Sequence, residues 1–108
     1  MPTRTDGPLL YRFGLVAVVA LAIEVGHWYP FRLGTHCGIR SAYFGGRFWR
    51  ARPVLSDGSD NPPRGWGNPD QIGQMRLVSE RVAEFRADGD LVARFVPAGH
   101  SWRPDRCE

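Results

Sequence analysis

The sequence has no lysine. All fourteen of its basic side chains are arginine, set against eleven acids, and that uniformity reflects a GC-rich coding bias before it reflects function. Cysteine is scarce, with two residues, and no C-x-x-C pair exists, so a cysteine-rich metal framework or a thioredoxin-type motif is excluded. There is no G-x-S-x-G, no H-E-x-x-H and no glycine-rich phosphate cradle, which removes the common hydrolase, metalloprotease and nucleotide-binding signatures. Asn61 and Asn68 each precede proline and are excluded as glycosylation acceptors. No internal repeat is present. At 108 residues a multidomain enzyme, a polytopic membrane protein and a coiled coil are excluded as well. No catalytic constellation survives, so a non-enzymatic protein without cofactor or catalytic metal is expected.

What the chain does have is an uneven distribution of apolar residues. Phe13 to Ile23 carries no polar side chain, Arg4 and Arg12 stand ahead of it, and Ala20-Leu21-Ala22 closes it with small residues at alternate positions. A basic leader, a short apolar core and an A-x-A site form a secretory signal pattern, with cleavage after Ala22. An uncleaved single-pass anchor over Leu9 to Tyr29 fits too. Such a span needs about 20 mostly apolar residues, Arg12 could reach the headgroups, and Trp28 and Tyr29 could occupy the outer interface. The third reading is a buried element of a cytosolic protein. In either of the first two the domain faces outward, giving a division into residues 1–29 (hydrophobic signal or anchor segment, helical) and residues 30–108 (a small folded domain). No lipobox precedes Cys37.

Cys37 and Cys107 are the only cysteines. Outside the cytoplasm two cysteines pair as one disulfide. Closing a loop of about 70 residues stabilises by roughly 4 kcal/mol in the chain-entropy model. A domain this small has a marginal core, so a covalent brace is expected to matter.

After residue 30 the periodicity is that of strands. Residues 28–33 suit a first strand. Ile39 to Phe44 and Arg47 to Ala51 flank Gly45-Gly46, a hairpin in which both turn residues tolerate positive φ. Pro53 is expected to end that ladder or mark an edge. Ser56 to Asp70 is rich in Pro, Gly, Asn and Asp and reads as a long irregular loop. Gln74–Val78, Arg81–Arg86 and Leu91–Val96 are further strands, the last two joined across Ala87-Asp88-Gly89-Asp90. Five or six short antiparallel strands predict a mainly β fold, a small meander closing toward a barrel. Phe48, Trp49, Phe85, Leu91 and Phe95 are its expected core.

The segment Tyr29 to Ile39, with His36-Cys37-Gly38-Ile39, and the loop Asn61-Pro62-Pro63-Arg64-Gly65-Trp66-Gly67-Asn68-Pro69 resemble a group of small uncharacterised proteins of high-GC Gram-positive (actinobacterial) bacteria. That group carries H-C-G-I and N-P-P-x-G-W-G-N-P and ends on a cysteine. The resemblance covers roughly residues 28 to 108, and Asp60-Asn61 departs from the Gly-Asn of the group. It implies a shared fold and a Cys37–Cys107 link, and no reaction.

The loop supplies the candidate binding residues Asp57, Asp60, Arg64, Trp66 and Asn68, because long Pro-rich loops often bind partners. Against this, Trp66 could fold back to cap the barrel. Asp57, Ser59 and Asn61 start like a calcium loop, but Pro62 stands where a glycine is needed and no Glu follows at the twelfth position. His36 beside Cys37 suggests a thiol–imidazole pair, yet neighbours on a strand point to opposite faces. His27, His36 and His100 have no ligand spacing. Arg40, Arg47, Arg50, Arg52 and Arg64 with Tyr43 and Trp49 could form a basic aromatic face for single-stranded nucleic acid, although a net charge of +3 is a small excess and nucleic acid is not expected as a partner. The expected function is a non-catalytic cell-envelope domain, membrane-anchored or secreted, with a binding or structural role toward an envelope partner. The alternative is a cytosolic single-stranded nucleic-acid-binding β-barrel.

Overall fold

The computed structural model describes residues 23–105 and Cys107. The hydrophobic run expected as a signal or anchor helix lies, up to residue 22, outside the described residues. Among the described residues no helix is long and apolar enough to cross a membrane.

Among the described residues six strands form one antiparallel sheet: β1 Tyr29–Gly34, β2 Ile39–Phe44, β3 Arg47–Leu55, β4 Asp70–Ser79, β5 Val82–Ala87 and β6 Leu91–Pro97. The order across the sheet is β1-β4-β5-β6-β3-β2. The expected meander therefore holds only for β4-β5-β6. β1 pairs with β4 and not with β2, which follows it in sequence. The sheet curls into a half-barrel whose two edge strands face each other without a hydrogen-bonded ladder. Aromatic packing fills the gap: Phe31 and Tyr29 of β1 set their rings 5.7 and 6.0 Å from Phe44 of β2.

Local sequence chemistry accounts for the turns. Gly45 and Gly46 both take positive φ, and Phe44 pairs with Arg47 around them, as a two-residue hairpin requires. Between β5 and β6 the positive-φ residues are Gly89 and Asp90, one position later than the Asp-Gly pair suggests. Pro53 does not end β3. The β2–β3 register shifts between Ile39 and Ser41, so the strand runs on to Leu55 with its extra residues around Arg52-Pro53 bulged out of the ladder. A proline lacking an N–H is tolerated in such a bulge. A second bulge shifts the β4–β5 register between Leu77 and Ser79.

The concave face is the core. Leu33, Ile39, Trp49, Met75, Phe85 and Phe95 are fully buried there. Each large side chain so buried contributes about 1.5–3 kcal/mol. Trp49 also donates its indole N–H to the Phe44 carbonyl at 3.0 Å, so the polar atom of the largest core residue is satisfied. Phe48 and Leu91, expected in the core, are half-buried. Phe48 lies on the outer face, opposite Tyr43 with ring centroids 4.9 Å apart. Strand alternation that puts Trp49 inward requires Phe48 to point out.

Both open ends are plugged. At one end the Trp66 ring stacks on Phe85 at 6.1 Å. At the other Ile23 packs against the core, Val25 bridges to Leu77, and Arg47 donates to the Glu80 carbonyl at 2.6 Å while its guanidinium covers the Trp49 ring. Residues 23–28 are thus laid against the sheet, ahead of β1.

Gly73 of β4 shows how tightly the cup is filled. A Cβ there would overlap the Phe85 ring and the Arg86 carbonyl, whereas one at Gly34 would meet nothing. Gly73→Ala should destabilise the domain by about 2 kcal/mol through overpacking, and Gly34→Ala should stay within about 0.5 kcal/mol. Chemical denaturation of the two variants checks this pair.

Candidate functional site

Three features stand out from the scaffold: the long loop, the covalent strap at the chain's end, and a charged cluster on the convex face.

The loop between β3 and β4 spends its polar groups on itself. The Asp57 carboxylate accepts the backbone N–H groups of Ser59 (2.7 Å) and Asn61 (3.3 Å). The Asp57 N–H donates to the Asn61 carbonyl at 2.9 Å. This Asx-type turn occupies the carboxylate that the calcium-like spacing offered. Asp60 pairs with Arg40 at 3.5 Å, both exposed. Arg64 and Asn68 are exposed. Thr35, fully buried, donates its hydroxyl to the Gly67 carbonyl, and the Thr35 and His36 N–H groups both bond the Pro69 carbonyl. The loop is therefore fastened to the β1–β2 turn, with Trp66 inserted beside Phe85. Of the five candidate residues, Arg64, Asn68 and Asp60 face solvent, Asp57 serves the turn, and Trp66 caps the core.

The strap follows β6. The Ala98 N–H bonds the Phe48 carbonyl, the Trp102 N–H bonds the Gly99 carbonyl, and the Trp102 ring meets Phe48 at 5.6 Å. The tail crosses the outer face of β2 and β3 and reaches Cys107, which is disulfide-bonded to Cys37 in the β1–β2 turn, with Cα atoms 6.3 Å apart. Beneath it lies a groove of about 400 Å³ lined in part by His36, Arg40, Arg50, Val54, Trp102 and Asp105, within the size range of small-ligand sites. Arg40 is held by the Cys37 carbonyl and Asp60. Arg50 makes no ion pair among the described residues.

One sequence expectation changes here. His36 and Cys37 do not sit on a strand. They occupy a turn, and Cys37 adopts positive φ (74°). Strand alternation no longer applies, and the ligand atoms of His36, Cys37 and Cys107 all lie within 4.8 Å of one another. By contrast His27 pairs with the Tyr29 ring, His100 is exposed in the tail, and the three histidines do not converge among the described residues. The basic aromatic face is also rearranged. Trp49 is buried in the concave core, while Tyr43, Arg50 and Arg52 are exposed on the convex side.

Sequence reasoning missed Glu84. Its side chain is almost fully buried on the convex face, surrounded by Arg76 (3.0 Å), Arg86 (3.4 Å) and Arg94 (3.2 Å). Arg76 in turn lies 4.6 Å from the Trp28 ring. Arg94 was findable, because a turn centred on Gly89 pairs Glu84 with Arg94. Arg76 was not, because the bulge after Leu77 shifts the register. Burial by itself would raise the Glu84 pKa. Hydrogen bonds from Arg86 and Arg76, with their charges, outweigh that and hold the carboxyl below its ordinary range. With Arg32, whose side chain is 68% exposed and pairs Asp70, the cluster sets four arginines against two carboxylates on this face.

Comparison with family models, with curated proteins and with solved structures finds no match to this chain.

Two outcomes are expected. Because the folded pKa of Glu84 is depressed, its contribution is present at neutral pH and is lost as pH falls through and below the ordinary carboxyl range. Glu84→Gln should cost about 1–2 kcal/mol at pH 7, a value discounted for the exposed arginine partners, and the difference from the parent protein should shrink in acid. Trp66→Ala should lower stability by about 2 kcal/mol as the cap over Phe85 is removed. Denaturation across pH reads the first and thermal unfolding the second.

Proposed function

We propose that this chain is a non-catalytic, disulfide-braced β domain of the cell envelope, exported or membrane-tethered, with a binding role. The observation that carries the reading is the Cys37–Cys107 bond, which ties the first turn of the sheet to the tail. Such a long-range bond persists in oxidising compartments. The apolar run Phe13–Ile23 behind a basic leader gives the means of export.

The packing at residues 23–28 adds to this reading. Ile23, Val25 and Gly26 engage the sheet, so a membrane span extending to Tyr29 would compete with the fold. The convex face supplies the chemistry of contact: Arg32, Arg86 and Arg94 have side chains more than half exposed, and an acidic partner suits them. The loop residues Asp60, Arg64 and Asn68 extend the available surface.

A second reading, a cytosolic barrel that binds single-stranded nucleic acid, draws on a different set of arginines, Arg40, Arg47, Arg50, Arg52 and Arg64 on β2, β3 and the loop. It is weakened because Trp49, the aromatic platform it needed, is enclosed in the core, leaving Tyr43 as the exposed ring on those strands. Binding of that kind would fall steeply with salt.

Intact-mass analysis of the native protein tests the proposal. The expected result is both thiols blocked until reductant is added, in an envelope or extracellular fraction. Recovery from the cytosol with two free thiols, together with salt-sensitive retention on single-stranded DNA, would favour the second reading.

A further inference from the structure

The turn that holds Cys37 presents a third group. Thr35 and His36 are fixed by their N–H bonds to the Pro69 carbonyl, and Arg40 clasps the Cys37 carbonyl from the other side at 2.8 Å. Gly38 also has positive φ, and a Cβ there would run into the Leu55 carbonyl and Ser56. The backbone that aims His36 and Cys37 is therefore determined by its surroundings and does not depend on the disulfide alone. Cys107 is delivered independently, by a tail anchored through Trp102 on Phe48. Two sulfur atoms and one imidazole nitrogen thus meet within 4.8 Å at the wall of the strap groove. Cys37 is buried and the other two are exposed.

Two thiolates and an imidazole are the donor set favoured by thiophilic d10 cations, and zinc takes them at about 2.0–2.3 Å in tetrahedral geometry. Tetrahedral bonds of that length would set two thiolate sulfurs about 4 Å apart. The fourth position would open toward the groove.

We propose that, in its reduced form, the protein binds one thiophilic cation of the zinc or cadmium type through His36, Cys37 and Cys107, so that the same cysteine pair is either a disulfide or a metal site. The chemistry balances simply. A phosphine and water give two electrons and two protons to the disulfide, yielding two thiols and the phosphine oxide. The cation then replaces the two thiol protons, which are released. The inference does not rest on the envelope reading. It concerns what the reduced chain does, wherever that chain resides.

The test uses the full chain, reduced with a phosphine, freed of reductant under anaerobic conditions and titrated with Cd²⁺. The thiolate-to-metal charge-transfer band reports cysteine ligation, and competition by Zn²⁺ against a chromogenic chelator gives affinity. The band should saturate at one cation per chain and be absent from the oxidised protein and from Cys107→Ser. His36→Ala should weaken binding at least about tenfold, while its oxidised form unfolds at the parent temperature, which separates ligation from structure. A reduced chain that shows no band overturns the proposal. So does one that has lost its native near-ultraviolet signal and does not regain it with metal, a stoichiometry of two chains per cation, or a His36→Ala variant that binds like the parent.

Discussion

The missing ladder between β1 and β2 is the constraint around which the rest of the molecule is arranged. A curled sheet of six strands presents two free edges, and backbone groups along such edges are a liability in water. Full closure into a barrel would remove them. Here the edges approach but are joined by side chains: Phe31 and Tyr29 against Phe44 across the seam, Thr35 and His36 bonded to the loop that precedes β4, and a covalent link from the β1–β2 turn to the tail. The long loop belongs to the same solution. It crosses from β3 to β4 over the open end, and its indole lies on Phe85.

From this follows a division of labour between faces. The concave side is purely apolar apart from satisfied polar atoms, such as the indole N–H of Trp49. The convex side carries the charge, organised around one buried carboxylate and three guanidinium groups. A buried ion cluster of this kind adds little net stability, but it fixes which arginine atoms remain free. Surface chemistry is therefore concentrated in two places: the arginine face over β4–β6, and the groove beneath the strap on β2–β3.

Much of the architecture was legible in the sequence because it is written in short-range signals. Gly45-Gly46, the proline-rich stretch after Leu55 and the alternation through Leu91–Val96 each specify their own turn, loop or strand. What was not legible depends on long-range pairing. Nothing local says that Tyr29–Gly34 pairs with β4 before β2. Two bulges, at Ile39/Ser41 and Leu77/Ser79, shift registers that simple hairpin counting carries through unchanged, and so hid Arg76 opposite Glu84. The positive φ of Cys37 had the same effect at the smallest scale. Reading the residue as part of a strand separates two side chains that a turn brings together. The Cys37–Cys107 pairing, in contrast, needed only a count of two.

The central claim is that the covalent tie, which pins the tail to the β1–β2 turn beside the unladdered seam, is a main brace of the half-barrel. Denaturant unfolding of the oxidised chain against the same chain after reduction, without metal, tests it most directly. The tie spans a sequence separation of 70 residues, for which about 2–4 kcal/mol of stabilisation is predicted, seen as a clearly lower unfolding midpoint on reduction. Coincident midpoints for the two forms would contradict the account.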